Sequence, residues 1–226
     1  MNDEQREREA EGAAQAPQRH DDRGSSPGLE LPERLRELLL APEETERMFA
    51  PGSKEAAVLV PLLERNGELV AVFTRRARHL PQHAGEISFP GGRLRRGESA
   101  LAAALREAEE EIGLAPARVE VVGALPPTGT IVTAFRVRPY VGWVAAPPAS
   151  WRPAADEVEA VLELPLRALA AGFRLQRLVR LGVPIRTPTY TVGEHVVWGA
   201  TARIVRALLR RLAPLDSGTA GEDDAR

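Results

Sequence analysis

The chain has 226 residues, of which 30 are basic and 32 acidic, with a formal net charge of −2 at pH 7. A balance so close to zero provides no overall positive field for nucleic acid or an anionic membrane, so phosphate groups must be recognised locally if they are bound. The sequence contains no cysteine, which excludes disulfides, thiolate zinc sites and a cysteine nucleophile.

The two ends of the chain differ in composition from its middle. Residues 1–29 are rich in charged and small polar side chains and predict a disordered tail, and the acidic residues 214–226 predict a second flexible tail. The span between them, 30–213, has the length of one domain. No apolar run approaches the ~20 residues that cross a bilayer, and residues 1–29 have no signal-peptide core. We therefore expect a cytoplasmic protein with neither a membrane nor a nucleic-acid partner.

The first half of the domain is predicted to be a helix followed by a hairpin. A short helical pattern covers residues 31–40, with Pro32 in its first turn. The apolar run 56–63 predicts a buried strand. Asn66-Gly67 is a strong signal for a tight turn into a second strand over residues 68–74.

An Arg- and His-rich loop, residues 74–85, follows this hairpin. It leads to a short predicted strand over residues 86–89, a turn at Pro90-Gly91-Gly92, and a helix that ends at Gly113. The basic loop and the helix therefore bracket one short strand.

The second half of the domain alternates strands and helices. Strands are predicted at residues 119–125, 135–144, 156–164, 184–192 and 195–198, with a rigid loop at 126–130 and a hairpin turn at Gly193. Helices are predicted at residues 165–170 and 200–212. This order predicts an α/β domain with a mixed β-sheet and helices packed on its faces.

The helix before Gly113 has an unusual distribution of charge. At 100° per residue its apolar stripe consists of Leu101, Leu105, Ala108 and Ile112, and its opposite side gathers Glu107, Glu110 and Glu111. Like charges at i,i+4 destabilise a helix by roughly 0.2–0.5 kcal/mol per pair. A hard divalent cation between the carboxylates would remove that cost.

The spacing of this segment resembles a known motif. Gly92 is followed after five residues by Glu98 and after seven more by the run from Arg106 to Leu114, REAEEEIGL, which resembles the Nudix box, G-x5-E-x7-R-E-U-x-E-E-x-G-U, at every fixed position. The resemblance implies a Nudix-type α/β/α sandwich and a diphosphate-cleaving hydrolase.

The same resemblance assigns roles to the residues of the box. Glu107, Glu110 and Glu111 would bind Mg²⁺ or Mn²⁺, and one of them, which the sequence does not single out, would accept the proton of the attacking water. Arg106 and Glu98 would form an ion pair that links the loop to the helix. Gly91 and Gly92 would let the backbone approach the site closely. Glu109 points away from this face and is expected to be dispensable.

A second resemblance concerns the substrate. Residues 73–92, FTRRARHLPQHAGEISFPGG, are similar to the coenzyme A diphosphatase signature within the Nudix family, L-L-T-x-R-[SA]-x3-R-x3-G-x3-F-P-G-G. Val72-Phe73 replaces the Leu pair, and Pro81 stands where that signature has Arg. We expect Arg76, with Arg78 and Arg75 nearby, to hold the phosphates of the substrate, because guanidinium groups pair with phosphate oxygens bidentately.

These resemblances predict an enzyme that cleaves coenzyme A, or a CoA derivative, into 3′,5′-ADP and 4′-phosphopantetheine. Two alternatives remain open: hydrolysis of another nucleoside diphosphate derivative such as ADP-ribose or NADH, and a Nudix-fold sensor that binds a nucleotide without cutting it. The expected partner is a small CoA-like nucleotide, and the sequence is compatible with a homodimer.

Overall fold

The computed structural model describes residues 27–81, 83–130, 133–180 and 183–217. The helices are α1 (Pro27–Leu38), α2 (Pro42–Arg47), α3 (Ala100–Ile112), α4 (Leu166–Ala171) and α5 (Gly199–Ser217). The strands are β1 (Lys54–Arg65), β2 (Glu68–Arg76), β3 (Ile87–Ser88), β4 (Gly91–Arg93), β5 (Glu120–Ala124), β6 (Thr128–Gly129), β7 (Phe135–Trp143), β8 (Val158–Pro165), β9 (Phe173–Arg180), β10 (Val183–Val192) and β11 (His195–Val197).

Strand β1 lies at the centre of the main sheet. It pairs in parallel with β7 and antiparallel with β2, and the strand order is β3-β2-β1-β7-β5. Three strands lie off this path: β4 pairs with β1, β6 with β7 and β8 with β2. A smaller antiparallel sheet has the order β11-β10-β9. The predicted mixed sheet is therefore confirmed.

Helices cover both faces of the main sheet. Successive side chains of β1 and β2 lie on opposite sides, so each face presents apolar residues that must be covered. On one face Ala57, Leu59 and Val72 pack with the buried residues of α3. On the other face Val60, Leu62, Ala71 and Phe73 pack with α1 and α5. These two clusters form the two apolar layers of an α/β/α sandwich, as predicted.

The hairpin between β1 and β2 forms where the sequence placed it. Asn66 and Gly67 have φ values of 52° and 77°, and Arg65 pairs with Glu68 on the other side of the turn. Both central residues of this kind of turn require positive φ, which Asn and Gly adopt at low cost.

Other sequence expectations need correction. The segment Gly91–Arg93 is a strand, not a turn, because it pairs antiparallel with β1. Helix α2 and strand β9 were not predicted. The predicted tails also differ at their inner ends, because α1 begins at Pro27 and α5 continues to Ser217. The rest of the predicted tails, 1–26 and 218–226, lies outside the described residues.

Within the described ranges, no helix is both long enough and apolar enough to cross a membrane.

Candidate active site

Helix α3 has well-defined ends and an unusually small buried surface. Ser99 caps the first turn by accepting a hydrogen bond from the Ala102 N–H, at 3.2 Å. Gly113 ends the helix with φ 70°, and its N–H donates to Glu109 O. The buried positions are mostly alanines, Ala100, Ala103, Ala104 and Ala108, together with Ile112. The helix can therefore approach the sheet closely.

The predicted apolar stripe of α3 packs on the sheet, and two carboxylates of the helix are also covered. Leu101 and Leu105 are partly buried against the same apolar cluster as Ile112. Glu107 and Glu111 are also largely covered. The small side chains of the buried alanines let the helix lie close to the sheet, so that two carboxylates enter the space beside the strands. The carboxylate side of α3 is thus an interior surface.

Glu107 lies directly against Gly92 of β4. A Cβ atom placed on Gly92 would lie 2.5 Å from Glu107 Oε1 and 2.8 Å from Oε2. Gly92 is held in this position by its pairing with Ala57 of β1. The absence of a side chain at residue 92 is therefore what leaves room for the carboxylate.

Glu111 is the most perturbed carboxyl group of the site. Burial, and then the nearby Glu107 charge, raise its pKa to about 8, although the Gly91 N–H donates to it and Arg76 also favours the charged form. Its Oε2 atom is buried and has no hydrogen-bond partner among the described residues. A buried carboxylate oxygen without a donor is costly, so the arrangement fits a ligand that supplies positive charge or a proton.

Arg106 organises the remaining carboxylates. Its Nε donates to Glu98 Oε1 at 2.7 Å and its Nη2 to Glu98 Oε2 at 3.0 Å, so the predicted ion pair between loop and helix is present. Its Nη1 donates to Glu107 at 2.8 Å and to Glu110 at 2.9 Å. The hydrogen bonds from Arg106, followed by one from the Arg95 N–H, lower the pKa of Glu98 to about 2. The same contacts, led by the bond to Glu98, raise the pKa of Arg106 above its ordinary value.

The three glutamates predicted as metal ligands are not gathered around one point. Glu110 is half-exposed and bound by both Arg95 and Arg106, and no group of three His, Asp or Glu side chains among the described residues is arranged to hold a metal ion. Glu107 and Glu111 nevertheless lie close together, and one oxygen of Glu111 has no partner. Oxygen donors of this kind fit Mg²⁺ or Mn²⁺.

The predicted phosphate-binding arginines lie at the end of β2. Arg76 is close enough to Glu111 to influence its charge, whereas Arg75 and Arg78 contact Glu159 of β8. Pro81 is exposed in the loop that follows. Arg76 therefore acts electrostatically on Glu111, whereas Arg75 and Arg78 pair with Glu159.

One acidic residue near the site was missed by the sequence reasoning. Glu157 adds to the negative field at Glu111, and its carbonyl accepts the Ala77 N–H just before β8. In the sequence it was only an acidic residue at the start of a predicted strand. Nothing in its spacing connected it with the helix 46 residues earlier.

The fold and the site together have the features of a Nudix hydrolase: a mixed sheet between helices, a glycine strand, and a glutamate helix joined to its loop by an arginine. Residues 53–178 match the NUDIX domain. Proteins of Salmonella dublin and Salmonella typhimurium, each described as an uncharacterized Nudix hydrolase NudL, are 43% identical over 176 residues. Each alignment covers 75% of this chain and 88% of the relative.

Two solved structures share the fold. The binary complex of an Ap4A hydrolase from C. elegans has a TM-score of 0.50 and 16% identity, covering 74% of this chain and 99% of that chain. A MutT/nudix family protein from Enterococcus faecalis has a TM-score of 0.51 and 15% identity, covering 82% and 74%. The chain belongs to the Nudix hydrolase family, whose members cleave pyrophosphate bonds of nucleoside diphosphate derivatives and generally use divalent metal ions.

Proposed function

We propose that the protein hydrolyses the diphosphate of coenzyme A, or of a CoA derivative, to 3′,5′-ADP and 4′-phosphopantetheine in the presence of Mg²⁺ or Mn²⁺. The observation that carries the hydrolytic part is the buried Glu111 oxygen without a partner, next to Glu107 and the Gly91-Gly92 strand. The similarity of residues 73–92 to the CoA diphosphatase signature supports the choice of substrate.

In this proposal Glu107, Glu110 and Glu111 would hold the metal ion. A divalent ion bound there would supply charge neutralisation for the diphosphate and a more acidic water. Glu110 would have to exchange its contacts with Arg95 and Arg106 for this role. Arg106 would then retain Glu98, which fixes the loop relative to the helix. In the metal-free protein burial raises the pKa of Glu111 to about 8, so Glu111 would have to give up its proton when a metal ion binds.

The ends of the substrate are oriented by groups outside the helix. Arg76 lies on the same side as Glu111 and would pair with diphosphate oxygens. Gly91 lets β4 lie against β1, and Gly92 leaves room for the Glu107 carboxylate. Arg78 lies farther along the basic loop and would contact a more distant part of the substrate.

A panel of diphosphates with identified products tests the proposal. CoA, ADP-ribose and NADH are compared at equal Mg²⁺ and Mn²⁺, and CoA should have the highest kcat/KM. Glu111→Gln should reduce turnover by at least ~10²-fold, whereas Glu109→Gln, which changes an exposed carboxylate on the same helix, should have little effect. Faster cleavage of ADP-ribose would replace the substrate assignment, and nucleotide binding without turnover in the wild type would indicate a sensor.

A further inference from the structure

A cavity of about 370 Å³ lies beside the end of β2, where the basic loop meets β11. Its lining includes Arg75, Arg78, His195 and Trp198, with Glu194 at its edge. This volume is in the range of small-ligand pockets. Two guanidinium groups and an imidazole give the cavity an unusual density of hydrogen-bond donors.

The guanidinium groups in this cavity are only loosely paired with protein carboxylates. Arg75 is 3.5 Å from Glu159 and 3.6 Å from Glu194, and Arg78 is 3.4 Å from Glu159. A charge-assisted hydrogen bond has a length of about 2.7–2.9 Å. In addition, Arg75 Nε is buried and has no hydrogen-bond partner among the described residues.

A second arginine–carboxylate pair of the same sheet shows what full pairing looks like in this protein. Arg65 donates to both oxygens of Glu163, at 2.8 and 2.9 Å. The longer contacts of Arg75 and Arg78 are therefore not typical of how the chain pairs its arginines. They leave donor capacity for an anion that enters the cavity.

Glu194 and Glu159, the carboxylates that would compete with a bound anion for these arginines, differ in solvent exposure. The Glu194 side chain is 81% exposed, so its attraction to Arg75 is screened by solvent and weak. Glu159 is more covered, but it is shared between the two arginines. A phosphomonoester carries about −1.5 to −2 charges and three acceptor oxygens, so it can displace Glu194 and bridge both guanidinium groups.

The cavity lies within reach of the diphosphate site. Arg75 and Arg76 are consecutive in β2; Arg75 lines the cavity, and the charge of Arg76 acts on Glu111. Ile87, also in the lining, precedes Gly91 by four residues, so the backbone between them spans at most about 13 Å. That separation suits a substrate in which a sugar separates a phosphomonoester from the diphosphate.

We infer that this cavity is a second phosphate subsite, in which Arg75 and Arg78 recognise a phosphomonoester on the nucleoside of the substrate. The inference rests on the proposed diphosphatase function and adds to it the group by which the enzyme selects its substrate. For CoA this group is the 3′-phosphate.

The test compares CoA with 3′-dephospho-CoA, which differ only in that phosphate. Wild-type enzyme should prefer CoA in kcat/KM by about ten- to a hundredfold, the value of one or two charge-assisted hydrogen bonds. Arg78→Gln changes a side chain that is 77% exposed, so folding should not be affected, and the preference should fall about tenfold. Arg75→Gln should have the same effect, with its melting temperature measured in parallel.

Two further variants separate recognition from a general effect of charge. Glu194→Gln removes the competing carboxylate and should raise the preference for CoA about two- to fivefold. Arg167→Gln, at an exposed arginine of α4 that does not line the cavity, makes the same change as Arg78→Gln and should leave the preference unaltered. A wild-type preference near one, or one that neither arginine variant lowers, overturns the inference while leaving the diphosphatase function intact.

Binding of product-like nucleotides tests the phosphate subsite separately from the proposed diphosphatase function. If the wild type cleaves neither substrate with Mg²⁺ or Mn²⁺, the proposed function is wrong, and calorimetry with 3′,5′-ADP and 5′-AMP then decides the subsite. Tighter binding of 3′,5′-ADP that Arg78→Gln abolishes supports the subsite. Equal binding of the two nucleotides overturns it.

Discussion

Gly91 and Gly92 are adjacent in β4, and the structure predicts opposite consequences for the same substitution at the two positions. A Cβ on Gly92 would meet only the end of the Glu107 side chain, at 2.5–2.8 Å. A Cβ on Gly91 would meet the backbone of β1, at Ala57 O and at Val58 Cα, the latter 2.6 Å away. The Glu107 carboxylate can avoid a new Cβ by changing its side-chain torsions, whereas the backbone of a central strand cannot move aside.

The magnitudes follow from these distances. For Gly92→Ala, restoring an ordinary contact of roughly 3.5 Å moves the Glu107 carboxylate by about 1 Å, half the length of a metal–oxygen bond of about 2.0–2.1 Å. We expect turnover to fall by ~10²-fold while stability changes by less than ~1 kcal/mol. For Gly91→Ala, displacement of β4 from β1 should cost about 1–3 kcal/mol or more, which lowers the melting temperature by at least about 2–4 °C.

The assay measures melting temperature in EDTA, Mn²⁺ affinity by calorimetry, and CoA hydrolysis for both variants. Gly97→Ala is the control, because no atom lies within 4 Å of its Cβ position and only its positive φ, 79°, opposes the substitution. If Gly92→Ala keeps wild-type Mn²⁺ affinity and turnover, then Glu107 is not part of the metal site. If Gly91→Ala melts like the wild type, the contact between β4 and β1 has been misjudged.

Three further predictions concern the titrating and paired groups. The folded-state pKa of Glu111 is raised from 4.5 to about 8, so its protonated form stabilises the metal-free protein at low pH. That stability should be lost between about pH 4.5 and 8, by at most ~1.4 kcal/mol per pH unit. Denaturant unfolding in EDTA should show this decline for the wild type, and Glu111→Gln should flatten it. Adding Mn²⁺ at pH 8 should raise the melting temperature of the wild type and release protons, measured as a buffer-dependent heat of binding; no such dependence would count against deprotonation of Glu111 on binding. Arg106→Lys should lower both melting temperature and turnover, because a lysine ammonium cannot reproduce the guanidinium hydrogen bonds to Glu98, Glu107 and Glu110. Wild-type values for both quantities would show that these hydrogen bonds are unnecessary.

Several parts of the structure were predictable because they depend on short-range chemistry. The Asn66-Gly67 turn follows from positive φ at two adjacent residues, and the end of α3 follows from a left-handed Gly113. The ion pair between Arg106 and Glu98 was expected from the resemblance to the Nudix box, and it is present at 2.7 Å. The placement of β4 was not predictable, since Gly91 and Gly92 resemble a turn locally and become a strand only by pairing with Ala57 and Val58.

The family could be predicted from the amino-acid sequence, because a fixed spacing of glycine, glutamate and arginine residues is a property of the chain alone. The sequence also determined which carboxylates belong to α3. Their burial depends on how the helix packs in the folded chain. The close contact of α3 with β4 puts Glu107 against Gly92 and covers Glu111, while Glu110 remains with Arg95. Burial, pKa and the approach of Glu157 and Arg76 to Glu111 arise between segments distant in the chain, where no local pattern records them.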